Sequence, residues 1–248
     1  MATETPHPPC PLAEKLGESP SSEDLYDTMF IVKVGRGPAV KEFHVHKGLL
    51  CHYSKYFRGA LKGGFQEREG IVALDQGSRG VFQIFVTWIY TKKLLTRGKT
   101  FNLRDGGDAL LLCKIYVFAD SRGVPMLKNA VTDLLITSIC EHNVVPQTEV
   151  KYVYANTPEK DRFRALFVDI FSRLNSLSST VFFGDVARDM YPPEFLFDLC
   201  KATVGKENAK KPDMSLSDWE KCNKCDYHDH TDINAPREPK DKTEPKKE

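Results

Sequence analysis

The chain has 248 residues, is 41% hydrophobic and 28% charged, and carries a formal net charge of +1. That composition suits a soluble globular protein of one or two domains. The near-neutral charge excludes a global field drawing the chain to DNA, RNA or an acidic membrane, and no apolar run approaches the ~20 residues of a membrane helix.

In chain order, residues 1–24 are rich in Pro, Ser and Glu and predict a disordered leader. They lack the charged-then-apolar order of a signal peptide. Met29 to Val34 is a β-rich run, Gly35 to Pro38 a turn, and Ala39 to Val45 a returning strand, together a hairpin. The alternation of Phe43 and Val45 with His44 and His46 then changes to a helical period from Leu49 to Leu61. Gly70 to Asp75 predicts a third short strand. A second helix covers Ser78 to Lys92, with Val81, Phe85, Trp88 and Ile89 on one side. A third covers Gly107 to Gly123, with Ala109, Leu112, Cys113, Tyr116 and Val117 on one side, and Gly123 stands where a left-handed C-terminal cap belongs. The fourth opens at Pro125, where a missing N–H costs nothing, and buries Leu127, Ala130, Val131, Leu134 and Leu135. Two or three strands followed by packed helices define an α+β domain.

After Cys140 the texture changes. Glu141 to Asp161 reads as irregular. Thr157-Pro158 then predicts the start of an amphipathic helix, with Phe163, Leu166, Phe167, Ile170, Phe171 and Leu174 at helical spacing. Another helix follows Pro192-Pro193, using Phe195, Leu196 and Leu199. From about Gly205 the sequence reads as a solvated tail of mixed charge. It contains one dense cluster: Cys222, Cys225, His228 and His230. The seven cysteines are odd in number and mostly far apart, which points to a reducing compartment, cytoplasm or nucleus, and no disulfide framework.

The order "DTMFIVKVG", "VHKGLLCHYSKYF", "GIVALD", "VFQIFVTWIYTKKL" and "ADSRGVPMLK" resembles the BTB/POZ domain over residues 25 to about 140. The region ending in Cys225-x-x-His228-x-His230 is similar to the C-terminal half of fungal BTB proteins. The resemblance implies a BTB/POZ fold, a helical C-terminal extension (141–204), and a charged tail (205–248). It implies a non-catalytic protein-interaction module, commonly a homodimer. Some members are substrate adaptors of cullin-based ubiquitin ligases, and others assemble transcriptional or channel complexes.

The same resemblance suggests site residues, each with a plainer alternative. Leu25, Tyr26, Met29 and Phe30 are candidates for a dimer face. Asp27 and Lys47 match an acid and base that form a charged pocket; the alternative is an exposed pair worth ~0–1 kcal/mol. Phe65-Gln66-Glu67 matches a cullin-contact motif, with Phe65 as apolar anchor and Glu67 as polar contact. Alternatively Phe65 packs on its own domain. For His44 and His46, an H-x-H pair alone is of low specificity for metal. The plainer reading points Phe43 and Val45 inward and lets His46 anchor the strand–helix junction.

Cys222, Cys225, His228 and His230 have the ligand types of a zinc site, but the histidine spacing is tighter than in common fingers. Structural zinc contributes ~10–16 kcal/mol in small peptides. Ordering nine residues costs ~1–2 kcal/mol each. The two nearly cancel, so such a site needs packing help, with Trp219 and Tyr227 as candidates. The alternative is a disordered acidic tail.

No G-x-S-x-G, phosphate-cradling loop or H-E-x-x-H occurs, so an enzyme has little support. A zinc-binding, nucleic-acid-associated regulator is the alternative function, disfavoured because the tail lacks the Lys/Arg excess that phosphate binding needs. The expected partners are a second copy, a cullin scaffold and a protein substrate whose identity is not readable.

Overall fold

The computed structural model describes residues 10, 25, 28–62, 71–174, 189–204 and 213–231. A three-stranded sheet forms from β1 (Met29–Val34), β2 (Lys41–His46) and β3 (Ile71–Leu74), in the order β2-β1-β3. The hairpin pairs β1 and β2 antiparallel, with Phe30 opposite Val45 and Val32 opposite Phe43. β3 joins β1 in parallel, with Val32 opposite Val72. Alternation does the sorting: Phe30, Val32, Val34, Phe43, Val45, Val72 and Leu74 are buried. His44 is exposed and His46 hydrogen-bonds Tyr90, its Nδ1 lying 2.7 Å from the hydroxyl. His46 therefore anchors the junction at which β2 enters the first helix.

The helix expected over Leu49 to Leu61 is two: α1 (Lys47–Tyr53) and α2 (Lys55–Lys62). Ser54 breaks it with an extended backbone, φ −125° and ψ 119°. Its buried hydroxyl accepts from Phe57 N–H and donates to the Arg122 carbonyl, so one residue caps α2 and ties it to a distant loop. The two helices keep the apolar period of one, which is why periodicity alone did not separate them.

The helices α3 (Arg79–Thr91), α4 (Asp108–Ser121) and α5 (Pro125–His142) follow as expected. Phe57, Phe82, Phe85 and Trp88 form the aromatic centre of the core, with Phe43 edge-on to Phe82 at 4.9 Å. Gly123 closes α4 at φ +59°, and an added Cβ there would meet Lys55 Cβ at 2.9 Å. The close approach and the left-handed backbone both demand glycine.

Beyond α5 the chain stays helical. Residues 141–161, expected to be irregular, contain α6 (Glu149–Asn156), which buries Val150, Val153 and Tyr154. Thr157 ends this helix instead of opening the next. Its hydroxyl donates to the Val153 carbonyl at 2.6 Å, and Arg164 donates to both Thr157 Oγ1 and the Tyr154 carbonyl. The amphipathic helix α7 (Arg162–Arg173) is capped by Asp161, whose carboxylate accepts from Phe163 N–H at 2.8 Å. All six of its periodic apolar residues, Phe163 through Leu174, are buried. Phe163 stacks on Tyr116 of α4 at 3.9 Å with the rings 8° from parallel, joining the extension to the first core. In α8 (Pro193–Val204), Phe195 and Leu199 are buried, but Leu196 is exposed.

The segment 213–231, expected to be solvated, is packed. Ser215 and Asp218 form a capping box for the short α9 (Leu216–Glu220), and Trp219 and Tyr227 are buried. No helix among the described residues is long and apolar enough to cross a membrane.

Candidate metal centre

One face of α5 carries Asn129, Asp133 and Thr137, spaced by one helical turn each. The tail lies along this stripe. Lys224 donates to Thr137 Oγ1 at 3.0 Å, and Asp133 Oδ1 lies 2.8 Å from His228 Nε2. Asn129 grips the Asp229 backbone at both ends, accepting from its N–H at 2.7 Å and donating to its carbonyl at 3.0 Å. α7 supplies the other wall: Tyr227 donates to Asp169 at 2.7 Å, and Arg162 donates to the Asp226 carbonyl at 3.0 Å.

A charged hub lies beneath. Lys128 is buried and sits 2.7 Å from Asp120, 3.1 Å from Asp229 and 3.7 Å from Asp161. Burial alone would lower its pKa, but the Asp120 hydrogen bond and the three carboxylates hold it above the ordinary lysine value. Tyr116 donates to Asp161 at 2.9 Å. One lysine thus ties α4, the α7 cap and the tail to α5.

With the tail so held, Cys225, His228 and His230 present their ligand atoms to one point. His228 has extended backbone, φ −84° and ψ 144°, so residues 228 and 230 share a face and the tight H-x-H spacing suits convergence. The fourth member is Cys10. Its Sγ lies 3.4 Å from His228 Nδ1 and 3.6 Å from His230 Nε2, and all four ligand atoms lie within 4.8 Å of one another.

Cys222 does not join them, which corrects the ligand set expected from the Cys222-x-x-Cys225 spacing. It closes the turn after α9, with its N–H on the Trp219 carbonyl, and is half-buried against the hydrophobic core. Burial pushes its thiol up to about 11. Asn223 then starts a short 3-10 turn, Lys224–Tyr227, by accepting from Cys225 N–H, and this turn sends Cys225 elsewhere. Cys10 belongs to the leader that composition predicts to be disordered; the rest of residues 1–24 lies outside the described residues.

The titrating groups of the cluster shift in different directions. Burial, and next the hydrogen bond with Cys10, push the Cys225 thiol up to about 11. Burial lowers His230 below the ordinary imidazole value, assisted by Arg162 and His228. Burial would lower His228 too, but its hydrogen bond to Asp133 overrides this and raises it. A divalent ion between the four would convert both thiols to thiolates.

Tyr26, Asp27, Phe65 and Glu67 lie outside the described residues. Leu25 and Phe30 are buried within the chain, whereas Met29 is 47% exposed. Lys47 is half-buried, its ammonium 5.6 Å from the centre of the Phe30 ring.

The sheet, the paired helices α1 and α2, and α3 and α4 behind them accord with a known domain: the BTB/POZ family model matches residues 16–116, so the chain carries a BTB/POZ domain, a protein-interaction module. Among curated proteins it is similar to the Inhibitor of Bruton tyrosine kinase of Xenopus laevis, 27% identical over 143 residues. That alignment covers 57% of this chain but only 9% of the much longer relative. The α5 stripe, the extension and the Cys/His cluster all lie outside the matched residues.

Proposed function

We propose that the chain is a non-catalytic recruitment module that self-associates through its BTB/POZ domain and binds a second protein, as a substrate adaptor of a cullin-based ubiquitin ligase. The BTB/POZ match over residues 16–116 carries this reading. Exposed Met29, at the start of the central strand β1, supports a contact with a second copy at that end of the sheet. The segment between α2 and β3 contains Phe65 and Glu67, whose residue types suit a cullin contact. The CxxHxH tail supports placement among fungal BTB proteins, and the thiol-rich, disulfide-free chain suits the cytoplasm or nucleus.

Sedimentation equilibrium of the full chain at tens of micromolar tests self-association. A dimer that Met29→Asp weakens is the expected result, and a strict monomer overturns it. Calorimetric titration with a cullin N-terminal domain tests the adaptor role. Phe65→Ala is expected to weaken that binding over tenfold, a loss of about 2 kcal/mol as expected of an apolar anchor. Undetectable wild-type binding at ~100 μM, weaker than about −5.5 kcal/mol, removes the cullin and leaves recruitment of another partner.

A further inference from the structure

We propose that Cys10, Cys225, His228 and His230 bind one zinc ion, which fastens residue 10 to the tail over the face of α5. An ideal tetrahedral ion with Zn–S about 2.3 Å and Zn–N about 2.05 Å sets sulfur and nitrogen about 3.5 Å apart. The observed 3.4 Å and 3.6 Å from Cys10 to the two imidazoles are edges of that tetrahedron. Two thiols and two imidazoles select zinc over magnesium or calcium, which prefer oxygen. Four protein ligands leave no open position, so the site is structural.

The support behind the ligands points the same way. With Nδ1 of His228 turned to the ion, its Nε2–H donates to Asp133, fixing both tautomer and ring orientation. Asn129 holds Asp229 between the two histidines, so the i and i+2 rings are aimed before any ion arrives. The ordering cost that weighs against a zinc site in an unstructured tail is thus met by Trp219, Tyr227 and the α5 stripe. The ion has only Cys10 left to immobilise. Each thiol gives up its proton to water as its Zn–S bond forms, and no oxidant or reductant is involved.

The full chain, purified without chelators, should carry one zinc ion. Exchange for cobalt should give the intense visible bands of a tetrahedral site and the charge-transfer intensity of two thiolates. Cys10→Ser should remove about half of that intensity and weaken zinc binding at least tenfold, and His230→Gln should abolish the tetrahedral spectrum. Asp133→Asn should weaken zinc affinity about 10–100-fold, as loss of a partner behind a ligand does. Cys222→Ser should leave stoichiometry and spectrum unchanged. Circular dichroism confirms that each variant is folded, and Cys10 lies apart from the hydrophobic core. A metal-free wild type that takes up neither zinc nor cobalt overturns the proposal. So does a cobalt spectrum sensitive to Cys222→Ser and indifferent to Cys10→Ser, which would return the site to the Cys222-x-x-Cys225 pair.

Discussion

Replacing Lys128 by Met is expected to lower the unfolding free energy by about 3 kcal/mol, at the lower end of the ~3–5 kcal/mol for removing one partner of a buried ion pair. Met matches the length and apolar stem of Lys, so little packing is lost. What remains is Asp161, buried and facing Asp120 and Asp229 without a cation among them. Asp120 and Asp229 keep partial access to water, which moderates the cost. Adding Asp161→Asn should restore part of the loss. Asn still accepts from Phe163 N–H as a helix cap but carries no charge. Denaturant unfolding of the single and double variants measures both changes. A double variant less stable than Lys128→Met alone would show that the hub acts through packing and not through charge.

Phe163→Ala should cost about 3–5 kcal/mol, the usual range for deleting a buried aromatic ring. Phe163 is fully buried, stacks on Tyr116 and meets Phe167 edge-on at 5.3 Å. Its loss opens a void at the seam between α4 and α7, where Tyr116 also donates to the α7 cap. The BTB/POZ core should lose stability together with the extension, because the ring belongs to both. Calorimetric melting of the variant checks this. Melting of α7 alone, with the rest of the chain unchanged, would make the extension a separate unit.

The strands and long helices were legible because their apolar residues follow one period each. In β1 every second residue is buried, as are Phe43 and Val45 of β2, and in α7 the helical period buries all six expected residues. Legibility failed where a single polar side chain decides the geometry. Ser54 splits α1 from α2 through a bond to Arg122, which no local pattern announces. Thr157 resembles a helix cap, but Arg164 from the next helix fixes it as the end of α6. The capping box Ser215-x-x-Asp218 was present in the sequence and could have revealed α9. The α5 stripe was hidden because Asn129, Asp133 and Thr137 are ordinary polar residues until the tail lies on them. Cys225, His228 and His230 were found by residue type. Cys10 was not, because it stands 218 residues from His228 and only the fold makes them neighbours.

The BTB/POZ domain, the helical extension and the docked tail are expected to unfold as one cooperative body. The chain's two tryptophans, Trp88 in the first core and Trp219 in the tail, are both buried and report the two ends of that body. Denaturant unfolding of the full chain as Trp219→Phe and as Trp88→Phe isolates each signal, and the circular dichroism of the same sample reports the whole. Fluorescence and circular dichroism transitions that coincide within each variant are the predicted result, as for a two-state body. A Trp219 signal that is lost at a lower denaturant concentration than the helical signal of the same sample would contradict it.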